Sequence, residues 1–161
     1  LMDRMTEQRH MPALDETYFP GMALTFRVMR LATLWRTQLD RALRPHGMSL
    51  AVMRPMAYLR MLPEGATQRD LAQTMNIDCS ALVRVLDLLE KQKLVTRKPD
   101  AQDRRAKRLF LTDAGREQCR LFHTIAAELE QTIRHSLPPA QADSLTQTLS
   151  SLLEAHHAHT L

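Results

Sequence analysis

Two helix-capping residues, Thr67 and Asp78, stand eleven positions apart, and the chain around them has few ways to fold. Thr67 opens a short helical stretch, Gln68 to Met75, in which Leu71, Ala72 and Met75 share one face. Asn76 and Ile77 leave room only for a tight turn before Asp78 caps a second helix, which runs to about Lys93. A short helix, a tight turn and a longer capped helix describe a helix-turn-helix. Leu94 to Lys98 and Lys107 to Leu111 then read as strands, the second with Leu109 and Leu111 alternating against Arg108 and Phe110. The polar segment 99–106 between them is a hairpin tip. A helix-turn-helix followed by a basic hairpin is a winged helix.

The rest of the chain is helical by the same criteria. From Met22 to about Arg44, Leu24, Val28, Leu31, Trp35, Leu39 and Ala42 recur at spacings of three and four, and Pro45 and Gly47 end the run. Ser49 caps a helix through about Leu62, with a kink expected at Pro55. Thr112 caps a long helix to about Ser136, and Pro138 and Pro139 open a last one striped by Leu145, Leu149, Leu152 and Leu153. Aromatics are only 4% of 161 residues, which argues against a β-sandwich or barrel. The fold class is mainly α with a small β-hairpin wing: a winged helix-turn-helix with flanking dimerisation helices. The wide stripes on the 22–44 and 139–158 helices have little within the chain to cover them, and such helices find a partner in a symmetric copy. We divide the chain into a mobile arm (1–21), a first dimerisation helix (22–48), the winged helix-turn-helix (49–112) and C-terminal dimerisation helices (113–161).

Charge is the next guide. The net charge is +4, too small to interpret as a total. Residues 84–108 hold nine basic and four acidic side chains, so this window nets +5 and the remainder −1. Clustered positive charge on a helix-turn-helix and hairpin is the footprint of a phosphate-backbone binder, although most charge runs are solvated faces. With Leu82 inward at 100° per residue, Val85, Leu86 and Leu89 fall on its side, and Ser80, Arg84, Asp87 and Lys91 fall opposite. Ser80 and Arg84 lie in the first two turns, where a recognition helix meets base edges, and an arginine there suits guanine. Asp87, three residues on, is placed to orient Arg84 or to hold it in a surface salt bridge. At the hairpin tip Arg104 and Arg105 suit a narrow minor groove, with Asp103 placed to hold one of them extended. The full DNA-facing set is Thr67, Gln68, Ser80, Ala81, Arg84, Lys91, Arg97, Asp103, Arg104, Arg105 and Lys107.

These residues resemble the MarR family of bacterial transcription regulators, and within it the SlyA-type branch. The resemblance rests on L-V-R-V-L-D-L-L-E-K-Q-K-L-V-T-R, from Leu82 to Arg97, and D-R-R-A-K-R-L-F-L-T, from Asp103 to Thr112. It covers about residues 22–158. It implies an obligate homodimer whose first and last helices interlock, presenting two winged helices to a pseudo-palindrome in double-stranded DNA. It implies a major-groove contact for Arg84 and minor-groove contacts for Arg104 and Arg105. It also implies release by a small aromatic effector, a phenol or aromatic carboxylate, bound between the dimerisation helices and the winged helix. Many relatives have Gly where Asn76 stands, and Asn tolerates the left-handed turn.

Candidate effector contacts are Arg27 or Arg36 for a carboxylate, with Met29, Trp35, Met53 and Met56 as an adaptable apolar wall. Ordinary core filling is the competing reading for each methionine. Cys79 opens the recognition helix, where a helix N-terminus favours a thiolate; a redox switch there competes with a plain small residue, and Asp78 opposes it. Cys119 reads as packing. Two cysteines make no disulfide framework. His156, His157 and His159 have no acidic or cysteine residue directly beside them and read as a frayed end, with no metal expected; His10, His46, His123 and His135 are dispersed. No nucleophile–base pair or Gly-rich phosphate loop marks an enzyme, and no cofactor is expected. No apolar run approaches a membrane span and no signal-peptide core is visible, so we expect a soluble cytoplasmic protein with no membrane partner. The reading is a ligand-responsive dimeric repressor. Its competitor is a winged-helix module for protein contacts or ligand storage without operator specificity.

Overall fold

The computed structural model describes residues 13–159. Residues 1–12 of the expected arm (1–21), with His10, and the side chain of His159 lie outside the described residues. Two compact units divide at Trp35 and Arg36. In the first, the described part of the arm is not featureless. A 3-10 turn covers Glu16–Tyr18, and its cap is Asp15, whose carboxylate accepts the Thr17 N–H at 3.0 Å. Arg27 and Glu16 pair at 2.6 Å. Helix α1 is Ala23–Leu43, and Leu43 is its one buried residue.

The second unit follows the expected order. Helix α2 is Leu50–Met61, α3 Gln68–Thr74 and α4 Cys79–Lys91. Strands β1 (Val95–Pro99) and β2 (Lys107–Leu111) pair antiparallel with Val95 opposite Leu111. Helices α5 (Asp113–His135) and α6 (Pro139–His159) complete it. Expected boundaries hold within about two residues, as fraying ends allow. Helix α2 runs through Pro55, which supplies no N–H to its ladder.

Local chemistry explains the caps. Thr67 and Asp70 form a reciprocal capping box: the Thr67 hydroxyl accepts the Asp70 N–H at 3.1 Å, and the Asp70 carboxylate accepts the Thr67 N–H at 2.8 Å. Ser49 and Asp78 occupy cap positions without a side-chain cap bond. At α2 the substitute comes from Asp40, whose carboxylate accepts the Leu50 N–H at 2.9 Å. Asn76 takes φ +52° in the tight turn, the left-handed conformation expected of it.

The core of this unit is one cluster. Leu71 from α3, Leu82, Leu86 and Leu89 from α4, Val95 and Leu109 from the hairpin, and Met53 and Met56 from α2 are all closed off from solvent. Cys119 is buried, and its thiol faces the Met56 carbonyl at 3.8 Å. Burial pushes its pKa up, as packing requires. No described helix is long and apolar enough to cross a membrane.

Candidate nucleic-acid interface

The inward stripe of α4 leaves its other side free. Leu82, Leu86 and Leu89 are buried, whereas Ser80, Ala81, Arg84 and Lys91 are exposed. Arg84 has no hydrogen bond or ion pair among the described residues, so its fork of donors is available. The expected Arg84–Asp87 pairing is corrected. Asp87 instead accepts Arg97 at 2.6 Å.

Arg97, one of the expected DNA-facing residues, is engaged within the chain. Its side chain is 22% exposed, and its guanidinium is shared between Asp87 and Glu90, with Nη2 2.6 Å from both carboxylates. Its Nε also donates to Glu90 at 3.0 Å. This network ties the end of α4 to β1. The arginine holds the Glu90 carboxyl below its ordinary range, and Glu90 and Asp87 raise the guanidinium in turn.

The hairpin tip is built on two aspartates. Asp100 accepts the backbone N–H groups of Gln102 at 2.7 Å and Asp103 at 3.0 Å, and pairs with Arg108. These bonds, the backbone ones first, hold its carboxyl below the usual carboxylate range. Among the described residues no arginine side chain pairs with Asp103, contrary to expectation. Its carboxylate accepts the Arg105 backbone N–H at 2.9 Å. Arg104, Arg105 and Lys107 are exposed. Thr67 and Gln68 are half-buried at the start of α3, with the Thr67 hydroxyl engaged in the capping box.

The sequence reading missed Asp100 and Arg108. The signal for Asp100 was present: an aspartate after a proline, just before a polar tip, is disposed to accept N–H groups two residues on. Arg108 carried none, because its partners lie 8 and 43 positions away.

The effector candidates scatter. Met53 and Met56 are 1% and 0% exposed and lie in the core cluster. Arg27 is engaged by Glu16, Met29 is exposed and Trp35 half-buried, all in the first unit. Arg36 lines a cleft of about 1280 Å³ with Arg54, Tyr58, Arg108, Leu153 and His157. Cys79 is exposed beside Asp78, and no thiol partner faces it among the described residues. Among them, too, no group of three His, Cys, Asp or Glu side chains is assembled to hold a metal.

Among the described residues five carboxyls, Asp15, Asp40, Asp70, Glu90 and Asp100, lie below their ordinary values in the fold. Each stabilises the folded state fully above its unfolded value, about 4, and loses that contribution as pH falls through its folded value. The urea midpoint is therefore expected to be flat between pH 6 and 8 as far as these groups are concerned, and to fall below about pH 4. A midpoint unchanged between pH 5 and 3 would contradict the assignment.

Residues 46–106 match the model of the MarR family. The transcriptional regulator PA3341 is 30% identical, with a TM-score of 0.73 over 84% of this chain and 98% of that one. A MarR-family transcriptional regulator from Rhodococcus sp. RHA1 is 26% identical, with a TM-score of 0.73 over 80% and 91%. CouR from Rhodococcus jostii RHA1, solved bound to p-coumaroyl-CoA, is 26% identical, with a TM-score of 0.69 over 81% and 91%.

Proposed function

Because this chain belongs to the MarR family, we propose that it is a dimeric, sequence-specific regulator of transcription that represses from a pseudo-palindromic site in double-stranded DNA. The observation that carries this reading is the stripe of α4 that leaves Ser80, Ala81, Arg84 and Lys91 open, followed by a hairpin tip presenting Arg104 and Arg105. Arg84 reads bases in the major groove, Arg104 and Arg105 enter the minor groove, and Lys91 and Lys107 take phosphates. Thr67, Gln68 and Asp103 complete the contact set. The D-R-R-A-K-R-L-F-L-T stretch favours the SlyA-type branch.

Dimerisation follows from what each helix leaves open. Leu24, Val28 and Leu31 on α1 are exposed, as are Leu145, Leu152 and Leu153 on α6. A symmetric copy covers such stripes and sets two recognition helices about 34 Å apart. We assign residues 49–112 to DNA binding, with 22–48 and 113–161 to the dimer. A small aromatic effector that releases the DNA is part of the same reading. Support comes from Arg36 at the cleft, and from CouR, whose structure holds p-coumaroyl-CoA. A cytoplasmic location is consistent with this work on DNA.

Selection from a random duplex library tests the proposal. Wild-type protein is expected to enrich one two-fold symmetric site, and Arg84→Ala to enrich a set relaxed at one position of each half-site, by roughly 1–3 kcal/mol of lost discrimination. No enrichment by the wild type would overturn the function. An unchanged site for Arg84→Ala would overturn the orientation of α4.

A further inference from the structure

We propose that Asp100 and Arg108 are positioning residues that fix the aim of the hairpin tip on DNA, a role that rests on the regulatory reading above. The base of the hairpin is tied down by backbone. The Leu109 N–H donates to the Ala66 carbonyl at 2.9 Å, and Thr67 bridges to Arg108. That anchor ends at the strands. Residues 101–105 beyond it are all exposed. A two-stranded hairpin alone is marginally stable, so the direction of its tip depends on polar bonds.

Those bonds form one unbroken series. The Gly65 carbonyl, in the connection between α2 and α3, accepts Arg108 Nη1 at 2.8 Å. The Nε of the same guanidinium donates to Asp100, which is 7% exposed while the Arg108 side chain is 47% exposed. The other oxygen of Asp100 accepts the Gln102 and Asp103 N–H groups, at 2.7 and 3.0 Å. Asp103 then accepts the Arg105 N–H at 2.9 Å, and its carbonyl accepts the Ala106 N–H at 2.9 Å. The series therefore runs from the connection ahead of α3 to the backbone that presents Arg104 and Arg105. A planar guanidinium with two fixed donor directions spans Gly65 and Asp100 at once, which the single ammonium of a lysine does not do. Asp100 needs that partner, because a buried carboxylate without a counter-charge is costly.

The test compares wild type, Asp100→Asn and Arg108→Lys on two duplexes. Both duplexes carry the same symmetric half-sites; one is flanked by A/T-rich sequence with a narrow minor groove, the other by G/C. Asp100→Asn keeps an acceptor for the tip N–H groups and removes the charge that holds Arg108. Arg108→Lys keeps the charge and removes the fork. Wild-type protein is expected to favour the A/T flanks by roughly tenfold, the size of one well-read step. Both variants are expected to lose most of that preference while still discriminating the correct half-site from a mutated one.

The sign for Asp100→Asn is decisive. It removes a negative charge near DNA, which by long-range electrostatics alone strengthens binding. The positioning role predicts weaker binding to the A/T-flanked duplex instead. Tighter binding of that variant to both duplexes, or a wild-type flank preference in both variants, overturns the positioning role alone. Indifference of the wild type to the flanks overturns it as well. Equal binding of the wild type to symmetric and random duplexes overturns the regulatory reading, and the positioning role with it.

Discussion

Arg104→Ala combined with Arg105→Ala is expected to weaken binding to the symmetric site by a factor of roughly 100 or more at moderate salt, each lost contact being worth about 1–3 kcal/mol. The dimer and the melting temperature are expected to stay as they are. The two side chains are exposed, and among the described residues neither makes a bond within the chain. What orders the tip is elsewhere: Asp100 and Asp103 hold its backbone, and the Arg105 bond in that set comes from the main-chain N–H, which alanine retains. The slope of log affinity against log salt should also shrink, because two positive charges that displace counterions leave the interface. Fluorescence anisotropy measures the first effect, and size-exclusion chromatography checks the dimer. Unchanged affinity would remove the tip from the interface. A monomer would make the tip structural.

Gly115→Ala is expected to destabilise the fold by about 3 kcal/mol or more, at the upper end of what overpacking costs. A Cβ at this position would lie 2.1 Å from the Leu94 carbonyl oxygen and 3.1 Å from its carbon. The carbonyl has little room to retreat. It accepts the Thr112 N–H at 3.0 Å and the Thr112 hydroxyl at 3.2 Å, and that hydroxyl in turn accepts the Gly115 N–H at 3.0 Å. Relief of the clash therefore opens the cap of α5 and moves the start of β1 together. For a domain of this size the melting temperature should fall by roughly 6–12 °C. Thermal unfolding at fixed protein concentration tests this, since a dimer's melting point depends on concentration. A melting point equal to wild type would mean that α5 does not sit so close to Leu94.

Much of the architecture is legible in the sequence because it is local. The Thr67 and Thr112 caps, the Leu82–Leu86–Leu89 stripe and the left-handed Asn76 all depend on neighbours within a few residues, and all are where the pattern places them. The hairpin is legible for the same reason, with β2 residue for residue and β1 displaced by one. Ion-pair partners are a different matter. Asp87 has Arg84 three residues away and Arg97 ten away, and the helical spacing favours the near one. The structure chooses Arg97 because β1 returns alongside α4 and brings this guanidinium to two acids of the helix, Asp87 and Glu90. Methionine is ambiguous for a physical reason too. Its flexible, polarisable side chain serves a core and a pocket equally well, so only the packing reveals that Met53 and Met56 are core. Asp103, expected from its place beside two arginines to hold one guanidinium extended, accepts the Arg105 backbone N–H instead, a choice set by the turn and not by charge.

Operator-specific binding is measured by the affinity of the wild-type dimer for its selected symmetric duplex and for a scrambled duplex of equal length, across a salt series. The symmetric duplex is expected to bind roughly 1000-fold more tightly or better near physiological salt, with both affinities falling steeply as salt rises. Equal, weak binding to the two duplexes would contradict it.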